Sequence, residues 1–262
     1  MGHLRTSDLA RAVGVHPNTV RRYVDRGLLP PVERSPSGYR RFTPHHLDCL
    51  RLAHEVYSFP LPGLALHQAR MRILPPAIAG DLASALECAR AYLALVQSER
   101  AHAELAAELL ERWAFGAPDD TGDTDGTDDA AVQPLRIGQV AHLLGVSIDV
   151  VRSWDRNGLI DVPRDQANGY RRYGAREISR LRVIRVLSRA GYSMSAILRM
   201  LLQLDRGETT DLRRALDTPR LDEDVYGVYD RWLTTLADQE QRARGIIALI
   251  EALIQKQTAA SR

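Results

Sequence analysis

Apolar residues fall at helical spacing, in the same order, in two stretches of the chain. In the first, Leu9, Ala10 and Val13 follow the polar cap cluster Thr6-Ser7-Asp8, and Gly14 stands where a helix stop favours the left-handed conformation. His16-Pro17-Asn18 then opens a second helix, with Pro17 suited to the first turn, Val20, Tyr23 and Val24 on its apolar side, and Gly27 at its end. Pro30-Pro31 excludes further helix, so residues 29–32 and 39–42 are predicted as the two arms of a small hairpin that turns at 35–38. Helices over about 44–57 and 64–73 follow, separated by the Pro/Gly break at 59–63.

The pattern restarts at Leu135. Leu4, Gly14, Val20 and Gly38 recur as Leu135, Gly145, Val151 and Gly169, a constant offset of 131 residues that runs without insertion or deletion to about Leu50. Two short helices joined by a tight turn place a second helix for a DNA major groove, and the hairpin behind them is a wing. Each module is followed by a longer apolar repeat. Over 78–115, Leu82, Leu86, Ala89, Leu93, Val96, Arg100, Ala103, Ala107 and Leu110 alternate steps of four and three, the a/d seam of a coiled-coil helix about 50 Å long. Over 225–257 a second seam runs through Tyr229, Trp232, Leu236, Gln239, Ala243, Ile246, Ile250 and Leu253. The predicted fold is mainly α, two winged helix-turn-helix modules each followed by a long coiled-coil dimerisation helix. The expected division is 1–76 and 135–222 for the modules, 77–116 and 223–262 for the long helices, and 117–134 for the segment between the halves.

Charge changes this picture. The net value of +2 conceals a segregation: residues 117–134 carry six aspartates and no basic residue, in an Asp/Gly/Thr-rich stretch read as a flexible linker. Residues 4–54 hold nine arginines against four acids, and 135–185 hold ten against five, so each module is basic, as a phosphate backbone requires. Cys49 and Cys88 have neither partner spacing nor a nearby ligand cluster and are expected to be reduced structural thiols; no metal and no cofactor is expected. No apolar run of membrane-spanning length occurs, and no membrane partner is expected. No nucleophile–base set or phosphate-binding loop stands out, so the expectation is a protein that is not an enzyme. His45-His46 is read as a solvated helix start.

Both stretches resemble the MerR family of bacterial transcription regulators. The residues that carry the resemblance are LARAVGVHPNTVRRYVDRGLLPP with GYRRF in the first half, and VAHLLGVSIDVVRSWDRNGLI with GYRRY in the second. The resemblance implies modules that pair through an antiparallel coiled coil and bind two half-sites within double-stranded promoter DNA, distorting an over-long spacer so that RNA polymerase engages it. It implies cytoplasmic, nucleoid-associated location. It matches Arg21 and Arg152 to the family's recognition-helix arginine, and Tyr23 and Trp154 to the aromatic two places on; these two rings serve equally well as core. Tyr39, Arg40 and Arg41 match the wing, as do Tyr170, Arg171 and Arg172, and phosphate contact is their expected role. Base reading falls to Asn18, Thr19 and Arg22 in the first copy and to Asp149, Val150 and Ser153 in the second. The family normally has one module per chain. Duplication therefore suggests an internal pseudo-dimer, with a homodimer displaying four winged helices as the rival. Metal-sensing members carry cysteines near the end of the long helix and this chain has none there, so metal sensing is not expected. A second reading is a protein that binds or sequesters a small lipophilic, drug-like effector, with Tyr226, Tyr229 and Trp232 as the aromatic lining.

Overall fold

A computed structural model of the chain describes residues 3–57, 63–114, 134–166, 168–218 and 231–260. The protein is mainly helical. In chain order the elements are α1 (Thr6–Val13), α2 (Pro17–Asp25), β1 (Glu33–Arg34), β2 (Arg40–Arg41), α3 (Pro44–Tyr57), α4 (Leu64–Met71), α5 (Leu74–Ile78) and α6 (Leu82–Ala114). They continue as α7 (Ile137–Leu144), α8 (Ile148–Arg156), α9 (Ala175–Arg189), α10 (Met194–Asp205), α11 (Leu212–Asp217) and α12 (Trp232–Ala260). The chain divides into two compact units, Met1–Ser98 with Leu236–Arg262, and Glu99–Thr235.

In the first unit, α1 ends at Gly14, whose φ of 75° is the left-handed cap conformation that glycine adopts without steric cost. Its N–H closes the helix and lets α2 turn away. Leu9, Val20, Tyr23, Leu28, Leu29, Phe42, Leu50 and Val56 form the core of the module. Leu4, just before α1, bridges Phe42 by paired backbone hydrogen bonds, so the returning arm of the hairpin is anchored to the start of the chain. α6 alone fills the stretch predicted as one long helix from residue 78, and α5, which reaches it only at Ile78, is an additional short helix before it. They are separate because Gly80 and Asp81 intervene, and Asp81 accepts from the Ser84 N–H at 3.0 Å and from its hydroxyl at 2.6 Å.

Residues 82–98 of α6 pack against α12 from Leu236 onward within this unit. The two run antiparallel: Arg90 pairs with Glu251 at 3.1 Å, and Gln97 donates to Glu240 at 3.0 Å. The buried line on α6 is Leu82, Ala85, Ala89, Tyr92 and Val96. Ala85 and Tyr92 thus replace the expected Leu86 and Leu93, and Arg100 lies beside the seam, bonded to Glu104 at 2.9 Å. The Tyr92 hydroxyl donates to Gln239 Oε1 at 2.9 Å, which satisfies both polar groups inside an otherwise apolar contact. On α12 the expected Trp232, Leu236, Gln239, Ala243, Ile246 and Ile250 are all buried.

The second unit repeats the module. Leu135 bridges Tyr173, α7 ends at Gly145, and Val140, Leu144, Val151, Trp154, Leu159, Tyr173, Leu181 and Ile184 form its core. The later part of α6 packs on this module: Trp113 Nε1 donates to Ser179 Oγ at 2.7 Å, and the Tyr192 hydroxyl donates to the Ala103 carbonyl at 3.0 Å. Trp232 Nε1 donates to the Ala190 carbonyl at 2.7 Å and so ties the start of α12 to the end of α9. The linker predicted at 117–134 lies, apart from Pro134, outside the described residues.

Candidate nucleic-acid interface

α2 and α8 are the second helices of their modules, and their periodicity divides each into an inner and an outer face. Tyr23 and Trp154 are each 4% exposed and sit with Val20 and Val151 on the inner face. Tyr23 meets the Tyr57 ring edge-on at 5.8 Å. Burial corrects the assignment of these two rings to DNA contact, because their surfaces are already covered by protein. Asn18, Arg21 and Arg22 on α2 are exposed, with Thr19 half-buried; on α8 Asp149, Val150 and Arg152 are exposed, with Ser153 half-buried. Both helices are capped by a side chain: His16 Nδ1 accepts from the Asn18 N–H at 3.2 Å, and Ser147 Oγ from the Val150 N–H at 3.3 Å. Arg21 donates to Asn18 Oδ1 at 2.7 Å, and Arg152 to Asp149 Oδ1 at 3.3 Å, so the shared arginine is held by the residue three places before it in both modules.

The hairpins carry the remaining candidates. The outgoing arm of the first is β1, at Glu33–Arg34, rather than 29–32, because the Pro30-Pro31 pair delays pairing. Arg34 faces Arg40 in the first wing, whereas Arg164 faces Arg171 in the second. At a constant offset Arg34 would correspond to Asp165. The outgoing arm has therefore slipped by one residue in the second copy and the turn is one residue longer, a compensated change that the gapless alignment conceals. Tyr39 and Tyr170 stand at equivalent places and are 76% and 68% exposed.

The wing arginines are not equally available. Arg40 is paired with Asp25 at 2.9 Å, and Arg171 with Asp155, each acid lying on its own module's second helix. Arg172 donates through Nε to Asp165 Oδ2 at 2.9 Å. Arg41, half-buried, makes no side-chain bond to any described residue. Asp25 and Asp155 were not singled out from the sequence; the only signal was an acid near the end of a helix that also carries arginines. Behind each wing, the next helix is capped from its third residue. Thr43 N–H donates to His46 Nδ1 at 3.1 Å, and Gly174 N–H to Glu177 Oε2 at 2.8 Å. His46 is buried, with Nε2 donating to the Pro31 carbonyl at 3.2 Å, which corrects the reading of His45-His46 as a solvated pair; His45 alone is exposed.

Of the aromatic residues proposed to line an effector pocket, Tyr226 and Tyr229 lie outside the described residues. Trp232 is buried and bonded to Ala190, and its ring lies against Gly191, so it serves the packing of the second unit. A cavity of about 320 Å³ lies in the first unit, between α3, α5, the start of α6 and the end of α12. Leu52, Ala77, Leu82 and Leu253 line it, with Asp48 and Lys256, paired at 2.6 Å, at its polar side. Cys49 also borders it; burial pushes its thiol up to about 12, with Asp48 adding to the shift. No helix among the described residues is long and apolar enough to cross a membrane.

Comparison with known proteins places these modules. Residues 5–42 match the model described as MerR family regulatory protein, and residues 135–204 that described as MerR HTH family regulatory protein. The mercuric resistance operon regulatory protein of Bacillus cereus is 34% identical over 74 residues, 28% of this chain and 56% of that protein. Its counterpart from Serratia marcescens is 34% identical over 76 residues, 29% of this chain and 52% of its own length. The HTH-type transcriptional repressor CarH of Myxococcus xanthus is 32% identical over 77 residues, 29% of this chain and 26% of its own. The chain thus spans about half the length of the mercuric resistance regulators it matches. No solved structure matches it. Both modules thus match the MerR family of regulatory proteins, the first over residues 5–42 and the second over residues 135–204.

Proposed function

We propose that this protein is a sequence-specific DNA-binding transcription regulator whose two halves act as an internal pseudo-dimer on one promoter spacer, distorting it so that RNA polymerase engages. The observation that carries this reading is the repeated outer surface: Arg21 with Tyr39, Arg40 and Arg41 in one module, Arg152 with Tyr170, Arg171 and Arg172 in the other. Arginines and an exposed tyrosine beside a helix that fits a major groove supply phosphate contacts on both sides of the base-reading residues. The modules are taken as 1–76 and 135–222. Support for pairing within the chain comes from each compact unit, since the long helix of one half packs there against elements of the other half. The test is DNase footprinting of promoter DNA by the full chain, followed by the pair Arg40→Ala with Arg171→Ala. The double variant is expected to bind all sequences more weakly, with a salt slope shallower by about 1 for each lost phosphate contact. An unchanged affinity and salt slope would remove the wings from the interface.

A second reading adds a small lipophilic effector, and the 320 Å³ cavity in the first unit is the observation that favours it. It is of the size and lining expected for a small-molecule site. Thermal melting of the protein with a panel of aromatic lipophilic compounds tests it; a panel that leaves the melting temperature unmoved argues against an effector.

A further inference from the structure

The two recognition helices hold their shared arginine by the same bond, yet leave opposite hydrogen-bonding chemistry exposed. A guanidinium only donates, so the contact from Arg21 at 2.7 Å fixes the Asn18 amide with Oδ1 toward the arginine. What Asn18 has left to offer is its Nδ2 amino group. In the second module the same place is Asp149. One of its oxygens takes Arg152 at 3.3 Å; the other belongs to a side chain that is 87% exposed and can only accept. The neighbours change in the same sense. Arg22, an exposed donor with no side-chain bond to any described residue, is replaced by Ser153. Pro17 and Thr19 are replaced by Ile148 and Val150, which are 38% and 37% exposed although both are apolar.

Resting on the DNA-binding reading above, we infer that the two modules read half-sites of opposite polarity. The first takes acceptor edges, guanine N7 and O6, through Asn18 and Arg22. The second takes an exocyclic amino group, of cytosine or adenine, through Asp149, beside a thymine whose C5-methyl packs on Val150 and Ile148. The chemistry of the major groove supports each pairing: guanine presents two adjacent acceptors, carboxylates accept from amino groups, and apolar side chains meet the thymine methyl. The apolar pair on α8 is then a base-contacting surface rather than a docking face for another protein.

The experiment begins with selection of duplexes from a random library by the full chain, and uses the selected site with the wild-type protein. Replacing thymine by deoxyuridine in the second half-site removes only the methyl group and is expected to weaken binding roughly three- to fivefold, the worth of one buried methyl-sized group. Replacing guanine by 7-deazaguanine in the first half-site should weaken binding there too. Asp149→Asn keeps an oxygen for Arg152 and adds donors, so repeat selection should move the second half-site toward acceptor edges; Asn18→Asp should move the first toward amino groups. If the wild-type chain binds a selected duplex but neither base analogue changes affinity and neither variant changes the selected bases, the inference is overturned while the DNA-binding reading stands. If no sequence is enriched and no duplex is retained, the DNA-binding reading itself falls. Val150→Ser that keeps full affinity and thymine preference while losing capture of RNA polymerase would make the apolar pair a protein surface and overturn the inference.

Discussion

Among the described glycines, Gly191 is the position where a single added methyl group has least room. Its φ is 91°, and a Cβ there would lie 2.8 Å from the ring of Trp232, which is held in place by its bond to the Ala190 carbonyl. Gly207 has a comparable φ of 78° but open space around it. Substitution by alanine should therefore cost about 1–2 kcal/mol of backbone strain at Gly207, and a further 1–3 kcal/mol of overpacking, roughly, at Gly191. Denaturant unfolding of the two variants checks this, and equal losses would show that the indole gives way. Several buried groups contribute to the response to alkali, Cys49 and Tyr92 among them, and burial also raises the phenols of Tyr192 and Tyr173. Burial pushes the Cys49 thiol from 9.0 up to about 12, with Asp48 adding. Burial also pushes the Tyr92 phenol from 10.0 to about 12, against the opposing pull of Arg70 and Arg242. Each group keeps its proton in the folded chain after the unfolded chain has lost it, so the unfolded state gains as pH rises. The stability that Cys49 and Tyr92 contribute is complete below pH 9 and is lost progressively toward about 12. Tyr92→Phe should flatten part of that fall in denaturant midpoint; an identical pH profile would rule Tyr92 out as its source.

The wings show how neighbouring elements share one charged side chain. Asp25 and Asp155 draw Arg40 and Arg171 onto the second helix of each module, and these pairs are partly exposed, so they add little to stability. Their effect belongs to geometry: they set where the wing guanidinium stands. Asp25→Ala with Asp155→Ala removes two negative charges and leaves both arginines unheld. Binding to random duplex DNA should strengthen with a steeper salt slope, while the preference for the selected site over random DNA should fall several-fold. A preference that stays constant would show that the acids do not position the wing. The sequence made much of this architecture legible, and its failures have physical causes. The seam on α12 was readable because Trp232, Leu236, Ile246 and Ile250 alternate with polar residues. On α6 the pairs Ala85–Leu86 and Tyr92–Leu93 are apolar at both positions, and the phase is decided by Gln239, a partner that lies 147 residues away. The wing slip left no trace because one residue lost before the arm is regained in the turn. Tyr23 and Trp154 fit core and interface equally as residue types, and only burial separates the two roles.

The arrangement of the chain bears most directly on how many molecules make one assembly. Within one compact unit, residues 82–98 of α6 lie against residues of α12 that the sequence places in the other half, and the contact is specific rather than merely apolar. The Tyr92–Gln239 bond is buried at both ends, and Arg90–Glu251 and Gln97–Glu240 flank it. A buried polar pair of this kind selects its partner helix, since any other apolar seam leaves a hydroxyl or an amide unsatisfied at a cost of about 1–3 kcal/mol. The chain connectivity permits the partner to be its own second half, because 18 residues extend to about 60 Å. Light scattering over a wide range of concentration should therefore give the mass of one chain, 29.3 kDa. A stable species of twice that mass would mean that the same seams join two molecules, and the assembly would then display four winged helices instead of two. Tyr92→Phe with Gln239→Leu separates specificity from stability: the double variant should keep its helical content yet begin to associate at high concentration. If it remains as strictly one chain as the wild type, pairing is enforced by the covalent connection rather than by the buried polar pair.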